Sequence, residues 1–262
     1  MTVFRYEIRR GWKAAVIWGV SLSAFTIAAM LLYPKVAHYS DLFNTMIGRL
    51  GILSEIFSLN DMDVFEFMNY YGLEVGNFIG LGGGMFAAVT GISIVAREEG
   101  RHTAEFLFPH PIGRLSVLVQ KFISMLIQIA GLNLICIIGS RLGAGMIGET
   151  FTGNVFIYFH LSLFLMNLQV AAICFGISCL KKRDSAVPGL GIILLFYFLN
   201  LFINVNREAA ALKYFTPYYY TDIARITSAE SPLWPAIGIG FCAAGVILLI
   251  GVIRFMKKDL SI

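Results

Sequence analysis

Charge is scarce in this chain. Only 14% of its 262 residues are Asp, Glu, Lys or Arg, against 58% hydrophobic, and the mean hydropathy is +0.76. A water-soluble domain averages about 25% charged. No soluble fold of this length hides so much apolar surface in one core, so a soluble domain is excluded and the bilayer is the solvent. Cysteine is scarce too: Cys136, Cys174, Cys179 and Cys242 all fall within apolar runs. Their spacing matches neither a disulfide framework nor a zinc motif, and they read as small packing residues. Catalytic loops are missing as well. The chain contains no G-x-x-x-x-G-K-[ST], no H-E-x-x-H and no G-x-S-x-G, which excludes ATP hydrolysis by a phosphate loop and points away from an enzyme. His38, His102, His110 and His160 are scattered over both membrane faces and one span, so no metal site is expected.

What the chain has is long apolar runs. A spanning helix needs about 20 mostly apolar residues. Six windows qualify: 14–33, 75–96, 122–140, 155–180, 186–205 and 233–253. Backbone groups in lipid must be satisfied internally, and runs this long exclude strands. The expected fold is all-α, a polytopic membrane protein of six transmembrane helices. The first run is too long for a cleavable signal peptide and has no small-residue cleavage site, so it is expected to stay as an anchor.

Charge asymmetry sets the orientation. Six spans put both termini on one side, and 14 of the 20 basic residues but only six of the 16 acidic ones fall there. The positive-inside rule places both termini in the cytoplasm. The net charge of +4 is therefore a topology signal and not a sign of nucleic-acid binding. The basic segment 1–13, with Val3, Phe4, Ile8 and Trp12, is expected to form an N-terminal interfacial helix on the inner leaflet.

The outer segment 34–74 repeats Phe43, Met46, Ile47, Leu50, Leu53 and Phe57 at helical spacing, which predicts an amphipathic helix. Gly76, Gly80, Gly84 and Ala88 make a small-residue row on the second span, suited to close helix packing within the subunit or across a dimer. Asn133, Asn167, Asn200 and Asn204 are polar at membrane depth. Such side chains hydrogen-bond between helices or line a water-filled path, and these four are the candidate substrate path. The outer segment 206–232 carries four tyrosines around Pro217, read as an interfacial aromatic belt.

The most informative stretch is the charged island between the second and third runs, Arg97-Glu-Glu-Gly-Arg-His-Thr-Ala-Glu-Phe-Leu-Phe-Pro-His-Pro-Ile-Gly-Arg114. An amphipathic segment clamped between two spans lies at the membrane surface, where it can pass force from a soluble partner into the bilayer. It is similar to E-E-x-[KR]-G-T-A-E-F-L-x-x-x-P-[IV]-S-R, with a Lys following, of the permease subunits of type-two ATP-binding-cassette (ABC) exporters. Glu98, Glu99, Arg101, Thr103, Ala104, Glu105, Phe106, Leu107, Pro111, Ile112, Arg114 and Lys121 fall in register. His102 stands where that family prefers Gly, and Gly113 where it prefers Ser. Thr216-Pro-Tyr-Tyr-Tyr-Thr-Asp222 resembles the family's S-P-F-x-Y-F-D, and Lys257-Lys-Asp-Leu260 its closing K-[KR]-D-[LI].

The resemblance covers the whole six-span layout. It implies one permease domain over 1–262 in a prokaryotic plasma membrane, paired with a second copy or a paralogue. It also implies two copies of a separate ATPase, which would carry the ATP and magnesium. The segment 97–121 would hold the coupling helix, with Glu98, Glu99, Arg101, Thr103, Glu105, Phe106, Leu107, Pro111 and Arg114 meeting the ATPase. The cargo would be an exported amphipathic, lipid-like, drug or peptide molecule. Two alternatives stand beside this reading. An intramembrane metalloprotease would use Glu98, Glu99 and His110. A secondary transporter would work without ATP, and would typically show inverted repeats or broken helices.

Overall fold

The computed structural model describes residues 2–39, 65–97, 113–151, 153–181 and 183–257. Among these the regular elements are helices and no strand occurs: α1 (Thr2–His38), α2 (Phe67–Ser93), α3 (Arg114–Met146), α4 (Val155–Leu180), α5 (Val187–Val205), two 3-10 turns (Arg207–Phe215 and Pro217–Thr221), α6 (Ile223–Ala229) and α7 (Trp234–Lys257). Six of them, α1 to α5 and α7, are long and apolar enough to cross a membrane. Each expected window falls on one of them: α1, α3 and α7 run on past their windows, α4 and α5 match theirs closely, and α2 starts before its window but ends at Ser93, three residues short of it. The amphipathic helix expected over 43–57 lies outside the described residues, as does 98–112 of the charged island.

The first helix does not stop at Lys13. Val3, Glu7, Gly11 and Ala15, spaced every four residues, turn one face of its first turns inward, while Arg5, Arg9 and Lys13 point outward. The segment expected to lead into the first span is helical and continuous with it. That inward face packs on α3, the most extensive helix pairing in the molecule. The two run parallel in one register: Glu7 meets Lys121, Gly11 meets Gln128, Gly19 meets Ile135, and Ser23 meets Gly139. α1 crosses α2 in the opposite sense, with Trp18 Nε1 donating to the Gly82 carbonyl at 2.8 Å and Tyr70 OH donating to the Ala29 carbonyl at 2.8 Å.

α4 is the centre of the bundle. Its most apolar window is 72% buried, against 17% for α5, and α2, α3 and α7 surround it. The α2 row faces inward within this chain. Gly76 lies against Phe159, Gly80 against Leu163 and Tyr218, and Gly84 against Ile193, while the Ala88 carbonyl lies against Gly189. Toward the C-terminal ends of both helices, Gly176 of α4 and Gly251 of α7 bring their backbones into direct contact.

Two of the four tyrosines of segment 206–232 depart from the aromatic-belt expectation, while Tyr214 and Tyr219 keep some exposure. Tyr218 and Tyr220 are buried in the protein. Tyr218 OH donates to the Gly80 carbonyl and Tyr220 OH donates to Gln169 Oε1 at 2.7 Å. Burial pushes both phenols up, so they remain donors. The local sequence explains the turn: Thr216 Oγ1 accepts from the Tyr218 amide, Pro217 opens the 3-10 turn, and Asp222 caps α6 by accepting from the Ala224 amide at 3.0 Å. These bonds fold the segment inward over α2, α4 and α5.

Candidate functional site

Of the charged island, the described residues are its two stems, residues 94–97 leaving α2 and residues 113–121 entering α3. Arg114 is the first residue of α3, so Arg114–Lys121 is helix and not loop. The other residues assigned to ATPase contact (Glu98, Glu99, Arg101, Thr103, Glu105, Phe106, Leu107 and Pro111) lie outside the described residues.

Both stems are fastened to the rest of the bundle. Lys121 is 1% exposed. Its Nζ donates to the Glu7 carboxylate of α1 and, at 3.0 Å, to the Ile94 carbonyl of the departing stem. One buried cation thus ties α1, α3 and the end of α2 together. Gln128 Nε2 adds a bond to the Glu7 carbonyl at 3.3 Å. On the other side, Ser178 Oγ of α4 accepts from the amides of Val95 and Ala96 at 3.2 and 3.0 Å. Arg97 lies 3.8 Å from Asp184 in the α4–α5 connection. Arg114 Nη1 donates to the Met256 carbonyl near the end of α7.

The carbonyls at the end of α2 have no helix partner, and Lys121 satisfies that of Ile94. Ser178 satisfies the buried amides of Val95 and Ala96. A buried ammonium holds its place only with a counter-charge and full hydrogen bonding, and Glu7 with Ile94 supplies both. The two stems are thus bonded to α1, α4, the α4–α5 connection and α7. Sequence reasoning reached Lys121 but missed Glu7 and Ser178. The signals were faint: a lone carboxylate within a basic segment, and a serine two residues from the end of an apolar run. Replacing Ser178 with Ala leaves two buried amides without their acceptor, a loss of about 1–3 kcal/mol. Hydrogen exchange over residues 90–97 is expected to quicken in that variant while exchange in α3 stays unchanged; unchanged exchange at 95 and 96 would remove the role given to Ser178.

The four candidate path asparagines fall in two places. Asn133 and Asn167 pair across α3 and α4 at 3.3 Å, fully inside the bundle, with Asn167 Nδ2 against Gly83. Asn200 and Asn204 of α5 instead line an outer cleft with Gly72, Gly76, Asn77, Tyr197, Tyr218 and Asp222. There Tyr197 OH donates to Asn77 Oδ1 at 3.4 Å, and Arg225 bridges Asn204 Oδ1 (2.9 Å) and Asp222 (3.2 Å). Asn200 Oδ1 is buried with no hydrogen-bond partner among the described residues. The cleft is half open, with a volume of about 70 Å³, against the ~10–15 Å³ that one water needs. It therefore has room for water or a small polar group.

A second polar chain joins α2, α3 and α4. Tyr71 OH donates to Ser140 Oγ at 2.8 Å and lies 2.6 Å from His160 Nε2, and Ser140 Oγ donates to the Cys136 carbonyl. His160 is thus engaged with α2 in the protein interior.

The described residues thus form six long apolar helices, and the stems on either side of the charged segment are bonded to α1, α4, the α4–α5 connection and α7. Comparison with curated proteins and with solved structures gives no match. The family model for the ABC-2 family transporter protein matches residues 1–260. The chain belongs to the ABC-2 transporter family and is a multi-pass membrane protein, a permease subunit of an ABC transporter.

Proposed function

We propose that this permease is half of an exporter driven by a separate ATPase. Two permease chains and two ATPase copies form the working unit, with ATP and magnesium held by the ATPase. Both termini lie in the cytoplasm of a prokaryotic cell, beneath its plasma membrane. The segment between Arg97 and Arg114 is the coupling helix: Glu98, Glu99, Arg101 and Glu105 pair with polar groups of the ATPase, and Phe106 and Leu107 seat in an apolar pocket. The observation that carries the reading is the fastening of both stems by Lys121, Ser178, Asp184 and Met256. A push on the segment reaches most of the bundle without first melting local structure. The cargo is amphipathic, with its polar end passing the Asn200 and Asn204 cleft.

Purification of the tagged chain from its native membranes in mild detergent tests the partner. A near-stoichiometric ATPase bearing a phosphate loop is the expected companion, and its reproducible absence beside intact permease would defeat the proposal. Reversing both charges, Glu98→Lys with Glu99→Lys, is expected to release the ATPase and abolish transport while the permease stays folded. Persistent co-purification and transport would sink the docking role.

A further inference from the structure

The inner ends of α4 and α7 carry a second feature that coupling does not use. The two helices run parallel, since Gln169 faces Gly240 and Gly176 faces Ile247 and Gly251. At Gly176 and Gly251 their backbones touch. Beyond that crossing α4 continues only to Leu180, while α7 continues to Lys257. The helices leave between them a groove of about 620 Å³, lined by Cys179, Leu180, Ile253, Arg254 and Lys257. Ligand sites commonly enclose about 300–1,000 Å³.

The groove is mixed in polarity. Its apolar wall is made by Cys179, which is buried, and by Leu180 and Ile253, which are about half exposed. Arg254 and Lys257 make its cationic wall. At 1.5 Å rise per residue, Arg254 and Lys257 stand about 4.5 and 9 Å beyond the crossing. Three residues apart on a helix, they share one face, and that face lines the groove. Neither makes an ion pair among the described residues, and both are exposed. Cations that only offset the carbonyl end of a helix need no shared face and no groove. An acyl chain against Leu180 and Ile253, with a phosphate between Arg254 and Lys257, satisfies both halves of the groove. Basic pockets between spanning helices at the membrane surface hold anionic head groups on this logic.

We propose that this groove binds an anionic phospholipid, its head group on Arg254 and Lys257 and its chain along Leu180 and Ile253. Native mass spectrometry of the full-length chain, titrated with phosphatidylglycerol and separately with phosphatidylcholine, tests it. Wild type is expected to hold phosphatidylglycerol more tightly. The variant Arg254→Gln with Lys257→Gln is expected to lose roughly 30-fold in that affinity, from about two surface charges. The exchange Arg254→Lys with Lys257→Arg is expected to keep it. The control Arg9→Gln with Lys13→Gln removes the same charge from the exposed face of α1 and is expected to bind as wild type. Equal binding of the two lipids, undiminished binding by the double Gln variant, or an equal loss in the α1 control would each overturn the proposal. The thermal transition of each variant, expected to be unchanged, separates lost binding from lost folding.

Discussion

Replacing Lys121 with Met is expected to cost this protein about 3–5 kcal/mol, the usual price of leaving one partner of a buried ion pair alone. Glu7 is 3% exposed and Lys121 1%, so neither group can turn to solvent when its partner is removed. The Lys121→Met variant strands the Glu7 carboxylate between α1 and α3 and leaves the Ile94 carbonyl without its donor. Glu7→Gln is also expected to destabilise, because it leaves the buried ammonium without its counter-charge, although the amide oxygen can still accept from the lysine. The double variant Glu7→Leu with Lys121→Met removes both charges at once and is expected to regain most of the lost stability, since apolar replacement of a whole buried pair is often neutral. Thermal unfolding of the four proteins in one detergent gives the comparison. Single variants as stable as wild type would show that the pair does not bind α1 to the stem.

The pair has a functional consequence under the proposed mechanism. A double variant that folds but has lost the Ile94 contact keeps its ATPase while transport falls. Stability and coupling are then read separately: the first from the melting curve, the second from transport per ATP hydrolysed.

The second large effect is expected at the crossing of α4 and α7. A methyl group added at Gly251 falls inside the contact radius of the Gly176 carbonyl oxygen, which no side-chain rotation can move aside. The helices must separate, and contacts along the rest of their interface weaken with them. Overpacking of this kind costs about 1–3 kcal/mol, and contact between rigid backbones puts Gly251→Ala at the upper end. Small residues matter more here than in water, because close packing drives helix association where lipid is as apolar as the side chains. Gly238 and Gly245 on the same helix have nothing within 4 Å of an added Cβ. Alanine there is expected to be neutral, or stabilising by up to about 1 kcal/mol through helix propensity. A fall in melting temperature confined to Gly251→Ala supports the crossing; equal effects at all three positions would contradict it. The same variant pushes α4 and α7 apart next to the proposed lipid groove, so altered phosphatidylglycerol binding by a folded Gly251→Ala chain would link the two features.

The number and type of the spanning elements were legible in the sequence because lipid leaves the backbone few choices. Runs of about 20 apolar residues must be helices there, and all six windows are helical. Basic residues at alternate connections set the expected orientation for the same reason. The glycine row was legible as a packing surface in outline, but its partners were not. Nothing in Gly76 or Gly84 says that Phe159 and Ile193 face them, because those contacts join residues far apart in the chain.

Helix ends were less legible, since hydropathy marks where lipid begins and not where hydrogen bonding stops. α1 starts at Thr2 and α3 at Arg114, each well outside its apolar core, because Glu7, Gly11 and Gln128 give the extra turns a partner. The polar residues show the division most clearly. The sequence alone established a six-helix membrane protein with a charged surface segment between its second and third spans, and motif order pointed to its family. Only the tertiary structure decided which polar groups meet: Glu7 with Lys121, Ser178 with the stem amides, Tyr218 and Tyr220 inward, Arg254 and Lys257 beside one groove. An apolar run specifies its own helix through local bonds. A buried charge or hydroxyl depends on a partner that another helix brings to it, and only the packed bundle supplies that partner.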